Sequence, residues 1–170
     1  MRPLGAAGSI LLVVLCAGCS SPAQDQLEAN KALVRQMGET IDAEDWNGLD
    51  ALVTEDFHRH SQASTDLPEI TSREEFKDFE RGLHAAFSNM HVTYEMMVAE
   101  GDMVSAYAMF TGTNTGPIGE LPATGRSVLV SFLAMFRIED AKVAEIWVEW
   151  DNLDRMVQLG LWPPQASDGN

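Results

Sequence analysis

The chain has 170 residues, 45% of them hydrophobic, with 11 lysines and arginines against 26 aspartates and glutamates and a net charge of −15. That length suits one ordinary domain with a single core, and so acidic a surface repels nucleic acid and anionic headgroups, which excludes both as expected partners of the globular part. Cys16 and Cys19 are the only cysteines, so once the N-terminal segment is processed the body of the chain has no disulfide, thiol nucleophile or thiolate metal ligand.

Met1-Arg2-Pro3 precedes an uncharged, mostly apolar run from Leu4 to Gly18 that ends in small residues, the pattern of an export signal. The run is shorter than the ~20 apolar residues of a membrane-spanning helix, and polar Ser20-Ser21 follow it. Leu15-Cys16-Ala17-Gly18-Cys19-Ser20-Ser21 resembles the bacterial lipobox, which implies acylation of Cys19 and attachment to a membrane of the cell envelope, on its periplasmic or outer-membrane side. Cys16 stands where the lipobox usually has leucine, which leaves ordinary signal-peptidase cleavage as the alternative. The expected division is a signal peptide over 1–18, a lipidated tether over 19–26, one domain over 27–164 and a disordered tail over 165–170.

Within the domain, Leu27, Val34, Met37 and Ile41 fit the apolar stripe of a helix ending near Glu44, and Trp46, Leu49, Leu52 and Val53 a second, short helix that leads into Phe57-His58-Arg59-His60. Ser72-Arg73-Glu74-Glu75 is a capping-box pattern that opens a third helix through Phe76, Phe79, Leu83, Ala86 and Phe87. The period then changes to two over 90–99, 103–115, 128–138 and 143–150, with turn signals at Glu100-Gly101-Asp102 and Glu139-Asp140-Ala141. Helices first and a meander of four long strands afterwards predict an α+β domain whose antiparallel sheet bends over the helices and leaves a hollow. The loop from Pro117 to Arg126 would border the mouth of that hollow.

The last strand carries the chemistry that the residues suggest. Alternation puts Trp147, Glu149 and Asp151 on one face and Ile146, Val148 and Trp150 on the other. Burying an ionised carboxylate costs several kcal/mol unless it is paired or its pKa rises, so carboxylates beside a large aromatic are acid–base candidates; solvent-facing positions at a strand end are the equal alternative. Asp151 is the principal candidate base, Glu149 a neighbour that tunes its proton affinity, and His60 a neutral hydrogen-bond donor to a substrate carbonyl. His58 and His60 point the same way in a strand and invite a metal reading, but a catalytic zinc takes three protein ligands and no third stands at metal-site spacing, so no metal is expected. Tyr107 is read as a pocket-lining phenol or a core tyrosine, and nine methionines, among them Met90, Met96, Met97, Met103, Met109 and Met135, as a pliable lining or as core filling. His84 and His91 look like surface or packing residues, and no nucleophile elbow, phosphate loop or dinucleotide fingerprint is present.

Phe57 to His60, Phe110-Thr111-Gly112-Thr113-Asn114-Thr115-Gly116 followed by Pro122 to Arg126, Phe136 to Lys142, Trp147 to Leu153 and Leu159-Gly160 together resemble SnoaL-like proteins, specifically their ester-cyclase branch, over roughly residues 28–164. That family lies in the nuclear transport factor two-like superfamily, which implies a cone-shaped domain with N-terminal helices packed on a strongly curved antiparallel sheet. The resemblance implies that Asp151 matches the aspartate which serves polyketide cyclases of the family as acid and base in an intramolecular aldol closure. It also implies no metal and no organic cofactor, because the substrate's own carbonyls delocalise the carbanion. Glu149 falls where relatives often carry histidine, His60 on a frequent polar position and Asn114 where many relatives have histidine after Gly-Thr. Tyr107, Asn114, Trp147 and His58 are the expected substrate contacts around this set. The expected function is cofactor-free cyclase or isomerase chemistry on an apolar small molecule. The alternatives are a non-catalytic carrier lipoprotein of the envelope and an envelope subunit that forms a homodimer through the outer face of its sheet.

Overall fold

The computed structural model describes residues 21–61 and 69–163; the segment expected as an export signal, with Cys16 and Cys19, and the tail expected after 164, lie outside the described residues. Helix α1 (Pro22–Asp42) starts inside the stretch expected as a tether. The hydroxyl of Ser21 accepts from the Gln24 N–H at 3.2 Å, Pro22 occupies the first turn where its missing N–H is harmless, and Asp25 faces the positive end of the helix dipole. A short α2 (Leu49–Leu52) leads directly into β1 (Val53–His60). Ser72 caps α3 (Arg73–Ala86) by accepting from the Glu75 N–H at 3.3 Å, and the Glu75 carboxylate accepts in return from the Thr71 N–H at 2.8 Å.

Four long strands follow, β2 (Phe87–Glu100), β3 (Met103–Asn114), β4 (Ser127–Glu139) and β5 (Lys142–Trp150), and a helix that the sequence reading did not include, α4 (Asn152–Gln158). They form one sheet in the order β1-β5-β4-β3-β2, antiparallel throughout except that β1 lies parallel to β5. The β4–β5 turn holds Asp140 and Ala141 at φ of 49° and 58°, the geometry of a tight two-residue hairpin, with alanine in a region where glycine is free of strain.

The helices cover one face of the sheet. Val104, Ala106, Ala108 and Phe110 of β3, Val130, Phe132, Ala134 and Phe136 of β4, and Ile146 and Val148 of β5 are buried with Val34, Met37 and Ile41 of α1 and Phe76 of α3. Complete burial of each large side chain contributes about 1.5–3 kcal/mol, which makes this layer the main source of stability. Register shifts between Ser88 and His91 and between Tyr94 and Met96 bend β2. The second shift also changes facing: Met90, Val92 and Tyr94 look inward, whereas Met96 and Val98 are 64% and 68% exposed on the outer face. An extra residue in one strand reverses every side chain beyond it, so alternation alone does not place these methionines.

Candidate active site

Between α1, α3 and the inner face of the sheet lies an apolar chamber walled by Met37, Ile41, Phe79, Phe110, Phe132 and Trp150 among others. The centres of water-sized spheres have about 70 Å³ of room in it, several times the ~10–15 Å³ that one water requires. Asp42, Arg59, Glu80 and Tyr94 are its polar members.

Glu80 stands one turn after Phe76 and one turn before Leu83, on the apolar stripe of α3, and the capped start of that helix fixes where the stripe points. Burial pushes its carboxyl up to about 7; the Arg59 charge opposes this and the Asp42 charge adds to it. Arg59 shares the inward parity of Phe57 on β1, and its guanidinium lies 4.4 Å above the Phe79 ring. Burial lowers its pKa and the Glu80 and Glu149 charges work against that, but a guanidinium remains a cation. Burial, with the Glu80 and Asp42 charges, pushes the Tyr94 phenol above its ordinary value, so it is a hydroxyl donor at neutral pH. The phenol crosses α1 at Gly38, where a Cβ would come within 2.9 Å of the ring; only glycine lets the ring lie there. Asp42 ends α1. Its Oδ2 accepts from the Val92 N–H at 3.3 Å and bonds His91 Nδ1 at 2.5 Å, while Oδ1 is buried without a partner among the described residues.

The chamber thus holds a carboxyl that exchanges its proton near neutrality, a cation and a phenolic donor in apolar surroundings. That set can remove a proton beside a carbonyl and stabilise the oxyanion of the enolate that forms.

The residues expected from sequence lie elsewhere. The alternation of β5 is as expected, but the sheet faces the other way: Ile146, Val148 and Trp150 turn to the chamber, and Trp147 and exposed Glu149 to the outer face. Hydrophobic burial decides between the two faces, since the apolar set has more to gain. Asp151 follows the last strand residue, is exposed, and caps α4 by accepting from the Asp154 N–H at 3.0 Å, so its carboxylate does not enter the chamber. Tyr107 belongs to the outer face of β3, between inward Ala106 and Ala108 and beside Leu133 of β4. Asn114 is fully buried but binds backbone: its amide donates to the carbonyls of Ala86 at 3.0 Å and Gly116 at 2.7 Å, and its oxygen accepts from the N–H and hydroxyl of Thr124 at 2.7 and 3.1 Å. It ties the 115–125 loop to the end of α3 instead of facing a substrate. His58 and His60 project from the outer face, where the His60 ring stacks on Trp147 at 4.7 Å. Of the methionines singled out above, Met90 lines the chamber.

Signals for the actual set were present. A lone carboxylate on an apolar helical stripe (Glu80) and a cation sharing the parity of Phe57 (Arg59) each break the binary pattern at a position that faces inward.

The sequence profile of the family described as SnoaL-like polyketide cyclase matches residues 31–159. Among solved structures, the chain is similar to TsrD from Streptomyces laurentii, at 26% identity over 78% of this chain and 96% of that one, with a TM-score of 0.69. It is likewise similar to IdmH, a candidate polyketide cyclase from Streptomyces antibioticus, at 26% identity over 78% and 99% with a TM-score of 0.68. A SnoaL-like protein from Jannaschia sp. CCS1, 24% identical over 86% and 100% with a TM-score of 0.71, shares the fold. No curated protein sequence matches the chain.

Proposed function

Because the chain belongs to the SnoaL-like polyketide cyclase family, we propose that it carries out cofactor-free acid–base chemistry of the cyclase or isomerase type on a small carbonyl compound, with Glu80 as the group that moves the proton. The observation that carries this reading is the place of the Glu80 carboxyl in the wall of an apolar chamber that it shares with Arg59 and Tyr94, a setting whose burial pushes its pKa up to about 7. A base works best when its pKa lies near the working pH, because it is then ionised often enough to act and basic enough to be effective. As the carboxylate, Glu80 takes a proton from the carbon next to a carbonyl, and the electron pair moves onto the carbonyl oxygen. Arg59 and the Tyr94 hydroxyl are the groups available to stabilise that oxygen. In an isomerase, Glu80 returns the proton to a different carbon. In a cyclase, the enolate carbon forms a bond to a second carbonyl carbon, whose oxygen then receives the proton. The size of the chamber favours a compact ketone, or one end of a longer molecule.

The mostly apolar wall also supports the carrier reading, and one experiment separates the two. Cyclohexanone in deuterated buffer, followed by the loss of its α-proton NMR signal, should exchange faster with the protein than without it; saturable binding of the ketone with no acceleration would leave a carrier.

The apolar N-terminal run and the resemblance of residues 15–21 to a lipobox support a further part of the proposal, that the protein works at the cell envelope with Cys19 as its lipid anchor. Cys19→Ser should then abolish palmitate labelling and move the protein out of the membrane fraction; unchanged labelling would refute the anchor. The outer face of the sheet, with exposed Met96, Val98, Leu129, Leu133 and Met135, supports a homodimer. Light scattering of the purified protein should give the mass of two chains, and the mass of one chain would contradict the pairing.

A further inference from the structure

The outer face of the sheet carries a second cluster of chemistry-bearing side chains, separate from the chamber. Parallel pairing of β1 with β5 sets His58 beside Glu145 and His60 beside Trp147. Ile70 lies along the free edge of β1, where the Arg59 N–H donates to its carbonyl at 2.9 Å, and this brings Glu69 next to His58. His58 Nε2 lies 2.6 Å from Glu69 Oε1, and His60 Nε2 lies 2.9 Å from Glu145 Oε2. Glu145 is held in turn by Arg137, whose Nε donates to its other oxygen at 2.7 Å. The rings are fixed by stacking: His58 on His60 with centroids 4.1 Å apart, and His60 on Trp147 with planes 8° from parallel.

We infer that His58, His60 and Glu69 form a surface site for a divalent transition metal ion of the zinc type. One ligand atom from each of the three lies within 4.8 Å of the others. Ligands about 2.0–2.1 Å from a tetrahedral ion stand about 3.4 Å apart, so closing the site takes small rotations of side chains that already face one another. Two imidazoles and a carboxylate suit zinc and its neighbours better than magnesium or calcium, which prefer oxygen alone. On binding, the ion replaces the proton each imidazole shares with its carboxylate partner. Glu145, held in place by Arg137, is positioned to become a fourth ligand or to accept a hydrogen bond from an ion-bound water. The sequence shows the two histidines, but the third ligand, Glu69, stands nine positions on, and only the fold brings it alongside. Because this cluster lies across the sheet from Glu80, the inference does not depend on the chemistry of the chamber.

The test is calorimetric titration of the chelator-treated full chain with zinc chloride. Cys16→Ser and Cys19→Ser are included so that no thiolate competes for the ion, and cobalt substitution supplies an absorption spectrum that reports ligand type. The expected result is one ion per chain with affinity in the micromolar range or tighter. His58→Ala, His60→Ala and Glu69→Gln should each weaken binding tenfold or more, and His91→Ala, which removes an exposed histidine outside the cluster, should bind like its parent. Glu69 is exposed, so Glu69→Gln leaves the fold intact and is the decisive variant. Absence of saturable binding below millimolar zinc, or parental affinity in Glu69→Gln, would overturn the site.

Discussion

Replacing Glu80 with glutamine is expected to slow α-proton exchange by about 10²–10⁴-fold, the range that a well-placed general base supplies, while the protein stays folded. Glutamine keeps the shape of the side chain and cannot accept the proton. The exchange rate of the parent should rise with pH and level off above about 7, as the carboxyl ionises. The same substitution has a signature in stability. A carboxyl whose pKa is about 7 in the folded chain and 4.5 in the unfolded chain is protonated in both states at low pH, where its contribution to stability is fully present. As pH rises through 4.5 and then 7, the unfolded chain releases the proton more readily than the folded one, and about 3 kcal/mol is lost. Urea unfolding at pH 5 and pH 8 should show this decline, and Glu80→Gln should remove most of it. Glu145 has the opposite sign, since its hydrogen bonds with His60 and then Arg137 hold its pKa below the usual value. Its contribution is present at neutral pH and is lost only as the solution becomes acidic, below the window in which Glu80 acts.

Asn114→Ala is expected to lower the free energy of unfolding by about 3 kcal/mol, read as a fall in the urea midpoint. A buried polar group left unpaired costs about 1–3 kcal/mol, and this side chain satisfies several at once. Ala86 O also accepts from the N–H groups of Thr115 and Gly116, so it keeps partners; the Gly116 carbonyl and the Thr124 N–H lose the bond each makes to Asn114. The loop has little freedom to compensate, because Gly116 lies so close to the backbone of Ala85 that a Cβ there would clash. Asn114→Asp should not rescue the loss: it keeps an acceptor for Thr124 but sets a buried carboxylate oxygen against the Ala86 and Gly116 carbonyls. A change below 1 kcal/mol in Asn114→Ala would mean that the loop is not pinned in this way.

Much of the fold was legible because it rests on local rules. Ser72 and Glu75 mark the start of α3, and strict alternation marks β3, β4 and β5 to within a residue or two at most of their ends. The parallel placement of β1 was not legible, because no local pattern shows which edge of a meander a separate strand will join. The start of α1 was legible but read as tether: Ser21-Pro22 is a helix-opening pair, and a polar first turn hid it. The candidate site divides along the same line. Alternation grouped Trp147 with Glu149 correctly, yet it says nothing about which group turns inward; the apolar content of Ile146, Val148 and Trp150 decides that. Asp151 lies past the end of the strand, where alternation no longer applies, and Asp151 with Asp154 reads as the opening of α4. Tyr94 could not be placed from alternation alone, since the register shifts of β2 change the facing of the residues around it.

The most direct test of the proposed chemistry is a carbon NMR titration of the glutamate carboxyls, with Glu80→Gln used to assign the resonance of Glu80. The proposal requires a midpoint near 7 for that carboxyl in the folded protein. A midpoint near 4.5, the value of an ordinary exposed glutamate, would contradict it, because the chamber would then hold a weak base of no catalytic use at neutral pH.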